Sequence, residues 1–320
     1  MSNWTFSTTP PDDWEIRCNE HNSLFHTEAW QEVLHQGFKL ETLYLWDKNG
    51  LSAFTITVFI IGPFRIAYLG FPVGRNIEGK LLKEDILIQI KKMNLPVHLL
   101  KIQTDTLMPQ ALGQLKYQVV LETCIHDLPN WQLKKSLRQN IRRFHKNNIA
   151  IKDIAFTNEK AKSLFSIYKE TVIRNKGVVR YNAAYFKATL RLSIYKQNCR
   201  CLGVYMEEKL LGFIIIVLDK ETGFYLHGAS DRNFHKYGVS DILLSTAIHW
   251  AQEKNMKKFN LLASPSHQKN LIWYKEKFGG ETQPKYIYEL HFNIIYARLF
   301  KFLLWLKDKL QKLSNSFSTF

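Results

Sequence analysis

The chain has 320 residues, with 46% hydrophobic and 13% aromatic side chains and a formal net charge of +16 at pH 7. This apolar content is enough for two cores of ordinary size, so the composition excludes an intrinsically disordered chain. The positive charge predicts a polyanionic partner, which leaves nucleic acid, a nucleotide-linked substrate and an anionic membrane surface open.

The sequence argues against several other classes of protein. The four cysteines, at positions 18, 124, 199 and 201, lack the spacing of zinc sites, so we expect structural thiols, no metal and a reduced, cytoplasmic protein. The polar N-terminus, with Pro10 and Pro11, is unlike a signal peptide, and no run of 18 apolar residues occurs. The motifs of P-loop NTPases, serine hydrolases with a Gly-x-Ser-x-Gly elbow and His-Glu-x-x-His peptidases are missing.

Residues 1–130 are predicted to form a first domain, because strand and helix patterns alternate there. The turn signal Gly62-Pro63 separates the first two of its strands. The predicted elements are strands at 54–61, 64–70 and 97–103 and a helix at 81–93.

A basic linking helix is predicted over residues 131–148. Its apolar positions follow helical spacing, and no acidic residue occurs between Asp127 and Asp153. The basic residues expected to bind phosphate are Arg138, Arg142 and Arg143. The alternative is an ordinary solvated charged face.

Residues 149–292 are predicted to form a second domain. Ser240 is the expected N-cap of its central helix. The predicted elements are helices at 159–175, 183–195 and 240–254 and strands at 201–206, 211–219, 223–228, 259–263 and 286–291.

The tail, residues 293–320, is predicted to be a basic amphipathic helix. Its apolar stripe consists of Ile295, Leu299, Phe302, Leu306, Leu310 and Leu313. Two fates are open for this stripe: docking on the second domain, or contact with the inner face of an anionic membrane.

The two halves share a short module. A shift of 159 positions places Phe54 on Phe213 and Val58 on Val217 within two strand–turn–strand segments, each preceded by a helix-like stretch. A repeat of this size predicts two related tandem domains. The alternative is chance similarity between two hairpins.

The order of these elements, together with the pattern Tyr274, Lys275, Phe278 and Gly279, resembles the GNAT superfamily of acyltransferases. More narrowly, the chain is similar to the tandem-GNAT Fem-type aminoacyltransferases of peptidoglycan bridges and to acetyltransferase-like proteins of polysaccharide operons. The resemblance implies an α/β (α+β) fold of two tandem GNAT-like domains, each with a mixed, mostly antiparallel sheet flanked by helices. It also implies an N-acyltransferase whose donor is acyl-CoA or aminoacyl-tRNA.

The chain departs from this pattern at the loop that binds coenzyme A in the superfamily. Arg/Gln-x-x-Gly-x-Gly/Ala is usual there, whereas this chain has His235, Gly238 and Ser240, so only the middle glycine is kept.

Four residues are predicted to be catalytic. The resemblance implies that Lys275 is a cation beside the reacting carbonyl or the acceptor's carboxylate, and the alternative is a surface lysine on a turn. His227 and Asp231 flank the end of the strand that opens to admit substrate in this superfamily, where an imidazole could accept a proton. The alternative for His227 is a half-buried histidine bonded to the backbone. Tyr274 could act as a hydroxyl donor.

Gly238, Val239 and Ser240 precede the central helix, whose N–H groups and dipole would bind the phosphates of a donor or acceptor. The alternative is a plain helix start.

The predicted function is transfer of an acyl group, acetyl or aminoacyl, to an amine on a cell-envelope or polysaccharide precursor. The acceptor would be an anionic nucleotide- or lipid-linked molecule. Two alternatives remain: an aminoacyl-tRNA-dependent transferase of peptidoglycan, and a non-catalytic module that binds a glycan or nucleotide at the membrane surface.

Overall fold

The computed structural model describes residues 4–48, 52–75, 77, 84–105, 107, 117–135, 137–139, 141, 149–175 and 177–317. The predicted phosphate-binding residues Arg142 and Arg143 therefore lie outside the described residues. The chain forms two compact units that are interleaved along the sequence. The first unit comprises Met1–Pro11, Lys39–Gln118 and Tyr286–Phe320, and the second comprises Asp12–Phe38 and Val119–Lys285.

The first unit is a sheet with strand order β1-β2-β3-β4-β5-β12. Neighbouring strands are antiparallel except β4 and β5, which are parallel. Its elements are β1 Trp4–Ser7, β2 Leu40–Asp47, β3 Ala53–Ile61, β4 Phe64–Leu69, α3 Glu84–Lys92, β5 Leu99–Thr104, the second half of β12 Glu281–His291, and α8 Ile294–Phe317. The apolar face of α3 supplies Leu87 and Ile90 to the core, where they pack with Phe54 and Val58.

The second unit is a sheet with strand order β12-β6-β11-β10-β9-β8-β7 and helices packed on it. Its elements are α1 Trp14–Glu20, α2 Glu28–Gly37, most of β6 Tyr117–Ile125, β7 Ile149–Asp153, α4 Asn158–Arg174, α5 Ala183–Tyr195, β8 Cys199–Met206, β9 Lys209–Asp219, β10 Thr222–Ser230, α6 Val239–Glu253, β11 Lys258–Ser264, α7 Lys269–Glu276 and the first half of β12. The buried face of α6, with Leu243 and Ala247, shares one hydrophobic core with Leu211 and Ile214 of β9 and also contacts β10.

The two units repeat one pairing scheme, which confirms the predicted fold class of two related α/β modules. In each, an outer strand pairs with a hairpin, the hairpin continues into a third antiparallel strand, and a parallel neighbour follows. β2 and β8, at Leu40–Asp47 and Cys199–Met206, are related by the same 159-residue shift that the sequence predicts.

The last strand of each repeat, which we call its closing strand, comes from a distant part of the chain. In the first unit β5 pairs with β12, although β6 is the next strand in the sequence. In the second unit β11 pairs with β6, although β12 is the next strand in the sequence. As a consequence, residues 286–291, predicted within the second domain, lie in the first unit.

The helix α2 lies in the second unit, although it was predicted within a domain of residues 1–130. The Asn182 side chain explains this placement: its Nδ2 donates to the Gly37 carbonyl at 2.6 Å, and its Oδ1 caps α5 by accepting from the Tyr185 N–H. Trp30 and Leu34 on the buried face of α2 are removed from water.

The predicted linking helix begins later than residue 131, because residues 131–134 are not helical, whereas 135, 137–139 and 141 are. Trp131 Nε1 donates to the Phe278 carbonyl at 2.6 Å, and the Gln252 amide donates to the Leu128 carbonyl at 3.0 Å. These side chains bind backbone groups outside any helix and hold the segment irregular. No helix within the described part of the chain has the length and apolar character needed to cross a bilayer.

Candidate active site

The second unit contains a gap between two parallel strands. β10 and β11 pair only from Thr222 with Lys258 to Phe224 with Asn260, although β10 continues to Ser230 and β11 to Ser264. Both strands carry a register shift just beyond this point, in β10 after Tyr225 and in β11 after Asn260. The strands therefore separate, and backbone groups beyond the last pair need other partners.

Leu262 lies in this unpaired part of β11, and two side chains satisfy its backbone. Its φ of +60° is in the left-handed region, which is unfavourable for a branched side chain. Asn260 Oδ1 accepts from the Leu262 N–H at 2.7 Å, and Lys275 Nζ donates to the Leu262 carbonyl at 2.7 Å. The opened strand is thus held by one side chain of its own, Asn260, and by Lys275 of α7.

Lys275 is a buried amine at the start of the gap. The residue lies on α7 and is 4% exposed, which is rare for lysine. Burial lowers its pKa from the usual 10.5 to about 7, and the negative charge of Glu122 opposes part of that change. Glu122 is also buried and forms an ion pair with Lys285 at 3.4 Å. The amine of Lys275 is therefore able to gain or lose a proton near neutral pH.

Tyr274 precedes Lys275 on α7 and packs edge-on against Phe278, with ring centroids 5.4 Å apart. Burial raises its pKa well above the usual value, with smaller contributions from Tyr225 and Asp241. The phenol therefore stays protonated at neutral pH and is able to donate a hydrogen bond.

Asp241 and Lys277 form an ion pair beside Tyr274, with Lys277 Nζ 2.7 Å from the Asp241 carboxylate. Both side chains are largely buried, so each charge depends on the other. Asp241 is in the first turn of α6, and the pairing neutralises a carboxylate that would otherwise repel an anion at that helix start. This pair was not predicted from the sequence, because its two members are far apart in the chain.

His227 lies within an aromatic enclosure formed by Tyr168, Tyr181, Tyr185 and Phe186. Its Nε2 is 2.9 Å from the Tyr185 hydroxyl, and burial lowers its pKa to about 3. The imidazole is therefore neutral at physiological pH and is packed as a core side chain is. A role of His227 as a base stays a prediction, and this apolar environment does not favour it. The alternative was a hydrogen bond from the imidazole to the backbone, and the structure has a hydrogen bond to the Tyr185 hydroxyl in its place.

Asp231 stands at the end of β10, where its Oδ1 accepts from the Asn233 N–H at 2.9 Å and caps a short 3-10 helix, Arg232–Tyr237. Its carboxylate also lies 3.7 Å from Lys209 Nζ. These contacts with the neighbouring turn and with Lys209 of β9 are sufficient to hold the Asp231 side chain in place in the absence of a substrate.

The turn that was predicted to bind phosphate lies directly before α6, and its binding role stays a prediction. The helix begins at Val239, so Ser240 is not the N-cap as predicted; Gly238 is, with a φ of +69° that favours glycine. Val239 is buried, and the Ser240 hydroxyl bonds to that of Ser230 at 2.9 Å. The 3-10 helix before this turn carries exposed basic residues that the sequence analysis missed, Arg232 and Lys236 among them.

Arg138 is the one predicted phosphate-binding arginine that the described residues include, and its side chain is exposed. Glu122 and Asn260 were not predicted as site residues, because neither belongs to a sequence motif. Glu122 comes close to Lys275 and Lys285 only in the folded chain, and Asn260 bonds to Leu262 only where the strand is opened.

The cysteines do not contribute a nucleophile to this site. All four are buried, and burial raises the pKa of the Cys199 thiol to about 12. In the described part of the chain, no cluster of three or more His, Cys, Asp or Glu side chains is placed to hold a metal ion.

Part of the chain matches a known protein family. Residues 132–275, just under half of the chain, match the family described as an acetyltransferase (GNAT) domain. This part of the chain is therefore similar to a GNAT acetyltransferase domain, in agreement with the resemblance that the sequence pattern indicates. No curated protein matches the sequence.

Solved structures extend the likeness over nearly the whole chain at the level of the fold. FemX aligns with a TM-score of 0.64 at 12% identity, covering 92% of this chain and 99% of FemX. The C-terminal domain of a putative lysylphosphatidylglycerol synthetase from Agrobacterium fabrum aligns with a TM-score of 0.56 at 12% identity, covering 89% and 95%. L-PGS from Bacillus licheniformis aligns with a TM-score of 0.56 at 14% identity, covering 87% and 91%.

Proposed function

We propose that the chain transfers an acyl or aminoacyl group to an amine on an anionic cell-envelope or polysaccharide precursor. The observation that carries this proposal is the buried Lys275 at the point where β10 and β11 separate. A cation fixed in a site with little water stabilises negative charge far more than it would in solution.

In this mechanism, the acceptor amine attacks the carbonyl carbon of a thioester or aminoacyl ester. The new C–N bond forms as the carbonyl oxygen becomes negative, and the ammonium of Lys275 stabilises that oxyanion. The C–S or C–O bond then breaks, and the Tyr274 hydroxyl, which is protonated at neutral pH, donates a hydrogen bond to the leaving thiolate or alkoxide. The amine nitrogen releases one proton to solvent and the leaving group takes up one proton from solvent, so Tyr274 is unchanged after each cycle. No covalent intermediate with the chain is required.

The anionic part of the substrates would be held by the turn before α6 and the basic residues beside it. Gly238 opens the helix start, and the Asp241 charge there is neutralised by Lys277. The exposed Arg138 and Lys236 would add to the attraction. The net charge of +16 supports the same class of partner.

The test measures turnover with acetyl-CoA and other acyl-CoA donors and amine-bearing nucleotide sugars, in the wild type, in Lys275→Ala and in Tyr274→Phe. We expect losses of about 100-fold or more in kcat for Lys275→Ala and about tenfold or more for Tyr274→Phe, typical of removing groups that stabilise developing negative charge. Lys269→Ala is the matched control, because Lys269 is exposed at the start of the same helix.

The pH dependence separates a cation from a base. If Lys275 acts as the ammonium, kcat/KM falls as the pH rises through the apparent pKa, and Lys275→Arg, which cannot lose its charge, flattens that decline. A rate that rises with pH and a Lys275→Arg variant without activity would contradict the cation role. Consumption of no donor by the wild type would favour the alternative of a non-catalytic module that binds a glycan or nucleotide.

Aminoacyl-tRNA is the second candidate donor. The positive charge and the incomplete glycine pattern at Gly238 and Ser240 favour it over acyl-CoA. Transfer from charged tRNA, with binding that weakens steeply as salt is added, would identify this donor, whereas saturable turnover of acyl-CoA would identify the other.

A further inference from the structure

The helix α8 is held on the first unit by one of its faces. Ala297 and Phe300 are buried in a cluster with Phe64, Ile66 and Leu99. One turn along the same face, Lys301 forms an ion pair with Glu289 of β12. These contacts fix the rotation of the helix about its axis, so its opposite face is also determined.

The opposite face is a row of large apolar side chains exposed to solvent. The exposed fractions are 73% for Ile295, 46% for Leu299, 55% for Phe302 and 36% for Leu306. The spacing of four, three and four residues places them in one stripe, and the Trp305 ring stacks on Phe302 at 5.9 Å. These residues belong to the apolar stripe that was predicted either to dock on the second domain or to contact a membrane. The helix packs on the first unit through its other face, so the stripe itself is not buried.

The sequence of α8 is predominantly basic. From Ile294 to Phe317 the sequence has five basic residues and a single acidic one, Asp308. The basic residues are Arg298, Lys301, Lys307, Lys309 and Lys312. An apolar stripe with an aromatic ring and flanking cations matches the boundary of an anionic bilayer, where acyl chains meet negative headgroups.

We propose that α8 is a lipid-binding helix that lies on the surface of an anionic bilayer, with Ile295, Leu299, Phe302 and Leu306 inserted and the basic residues that are not ion-paired with the chain, such as the exposed Arg298, on the headgroups. A second copy of the chain would bury the apolar stripe but would bring the cations of two helices together, which is unfavourable. The helix α8 belongs to the first unit and Lys275 to the second, and the proposal does not depend on acyl transfer.

The experiment is co-sedimentation of the full chain with vesicles. The wild type is mixed with vesicles of phosphatidylglycerol and phosphatidylcholine, and separately with phosphatidylcholine alone, at low and high salt. We expect binding to the anionic vesicles, weakened by salt, and little binding to the neutral ones. The double variant Leu299→Glu/Phe302→Glu should lose at least about tenfold in partitioning, because two inserted side chains become charged.

The matched control is Ile173→Glu/Ile194→Glu. It makes the same change at two exposed apolar positions, 57% and 53% exposed, on α4 and α5. This variant should bind vesicles as the wild type does. Circular dichroism and the unfolding midpoint should be unchanged in the α8 variant, because its altered side chains are exposed.

Three results would overturn the proposal. The first is a wild type that does not bind anionic vesicles, and the second is a folded Leu299→Glu/Phe302→Glu variant that binds them undiminished. The third is a wild-type dimer in light scattering that this variant converts to a monomer without any effect on vesicles, which would assign the stripe to contact between copies.

Discussion

Replacing Lys275 by methionine should stabilise the protein at low pH, because a buried charge is removed. A pKa of about 7 in place of 10.5 corresponds to about 5 kcal/mol, at 1.4 kcal/mol per pH unit, when the amine is protonated in both states. Methionine also leaves the Leu262 carbonyl without its 2.7 Å partner, which costs about 1–3 kcal/mol, whereas the attraction to Glu122 is already contained in the shifted pKa. We therefore expect a net stabilisation of about 2–4 kcal/mol at pH 6.

The pH dependence of this difference is the sharper measurement. Between pH 7 and 10.5 the unfolded chain binds the Lys275 proton and the folded chain does not, so wild-type stability rises with pH in this window and is constant below it. The methionine variant lacks this proton. Its advantage over the wild type should therefore shrink by about 2 kcal/mol from pH 7 to pH 9.

The assay is urea unfolding followed by circular dichroism at pH 6, 7, 8 and 9, with the free energy of unfolding compared between the two proteins at each pH. Lys269→Met is the matched control, because that side chain is exposed on the same helix and its removal changes no buried group. A difference between Lys275→Met and the wild type that stays constant from pH 6 to 9 would refute the depressed pKa and the reasoning built on it.

Two other substitutions test the surroundings of the site. His227→Phe should make the free energy of unfolding less sensitive to acid. The folded imidazole, with a pKa of about 3, stays neutral at pH 5, whereas the imidazole of the unfolded chain is protonated below about 6.5. In urea unfolding, the stability of the wild type relative to the variant should therefore fall by about 2 kcal/mol from pH 7 to pH 5. If this difference does not change with pH, the ring is not enclosed. Gly238→Ala should lower the free energy of unfolding by about 1 kcal/mol, because φ is +69° there, and a thermal melt identical to the wild type would show that the helix begins elsewhere.

The local elements were largely predictable from sequence. The strands of both hairpins fall within a few residues of their predicted positions, because alternating β-branched and aromatic residues and tight turns act over short distances. Ser240 shows the limit of such reasoning: serine is a good N-cap, but the left-handed Gly238, two residues earlier, occupies that position.

The exchange of closing strands could not be read from sequence. β5 pairs with β12 and β11 pairs with β6, although each of them is followed in the sequence by the other strand. Nothing in the local sequence of β6 or β12 shows which of the two strands it will pair with. Pairing of this kind is decided by the whole sheet. The same is true of the enclosure around His227, whose rings come from α4, α5 and the segment between them, packed against β10.

The sequence by itself determined the repeated module, the pattern of Tyr274, Lys275, Phe278 and Gly279, and the amphipathic pattern of the last helix, since each depends on residues close together in the chain. Tertiary structure decided that Lys275 is buried beside Glu122 under an opened strand, and that the apolar stripe of α8 faces solvent. The reason is physical: a pKa and an exposed face depend on which distant groups surround a side chain, and only the folded chain brings those groups together.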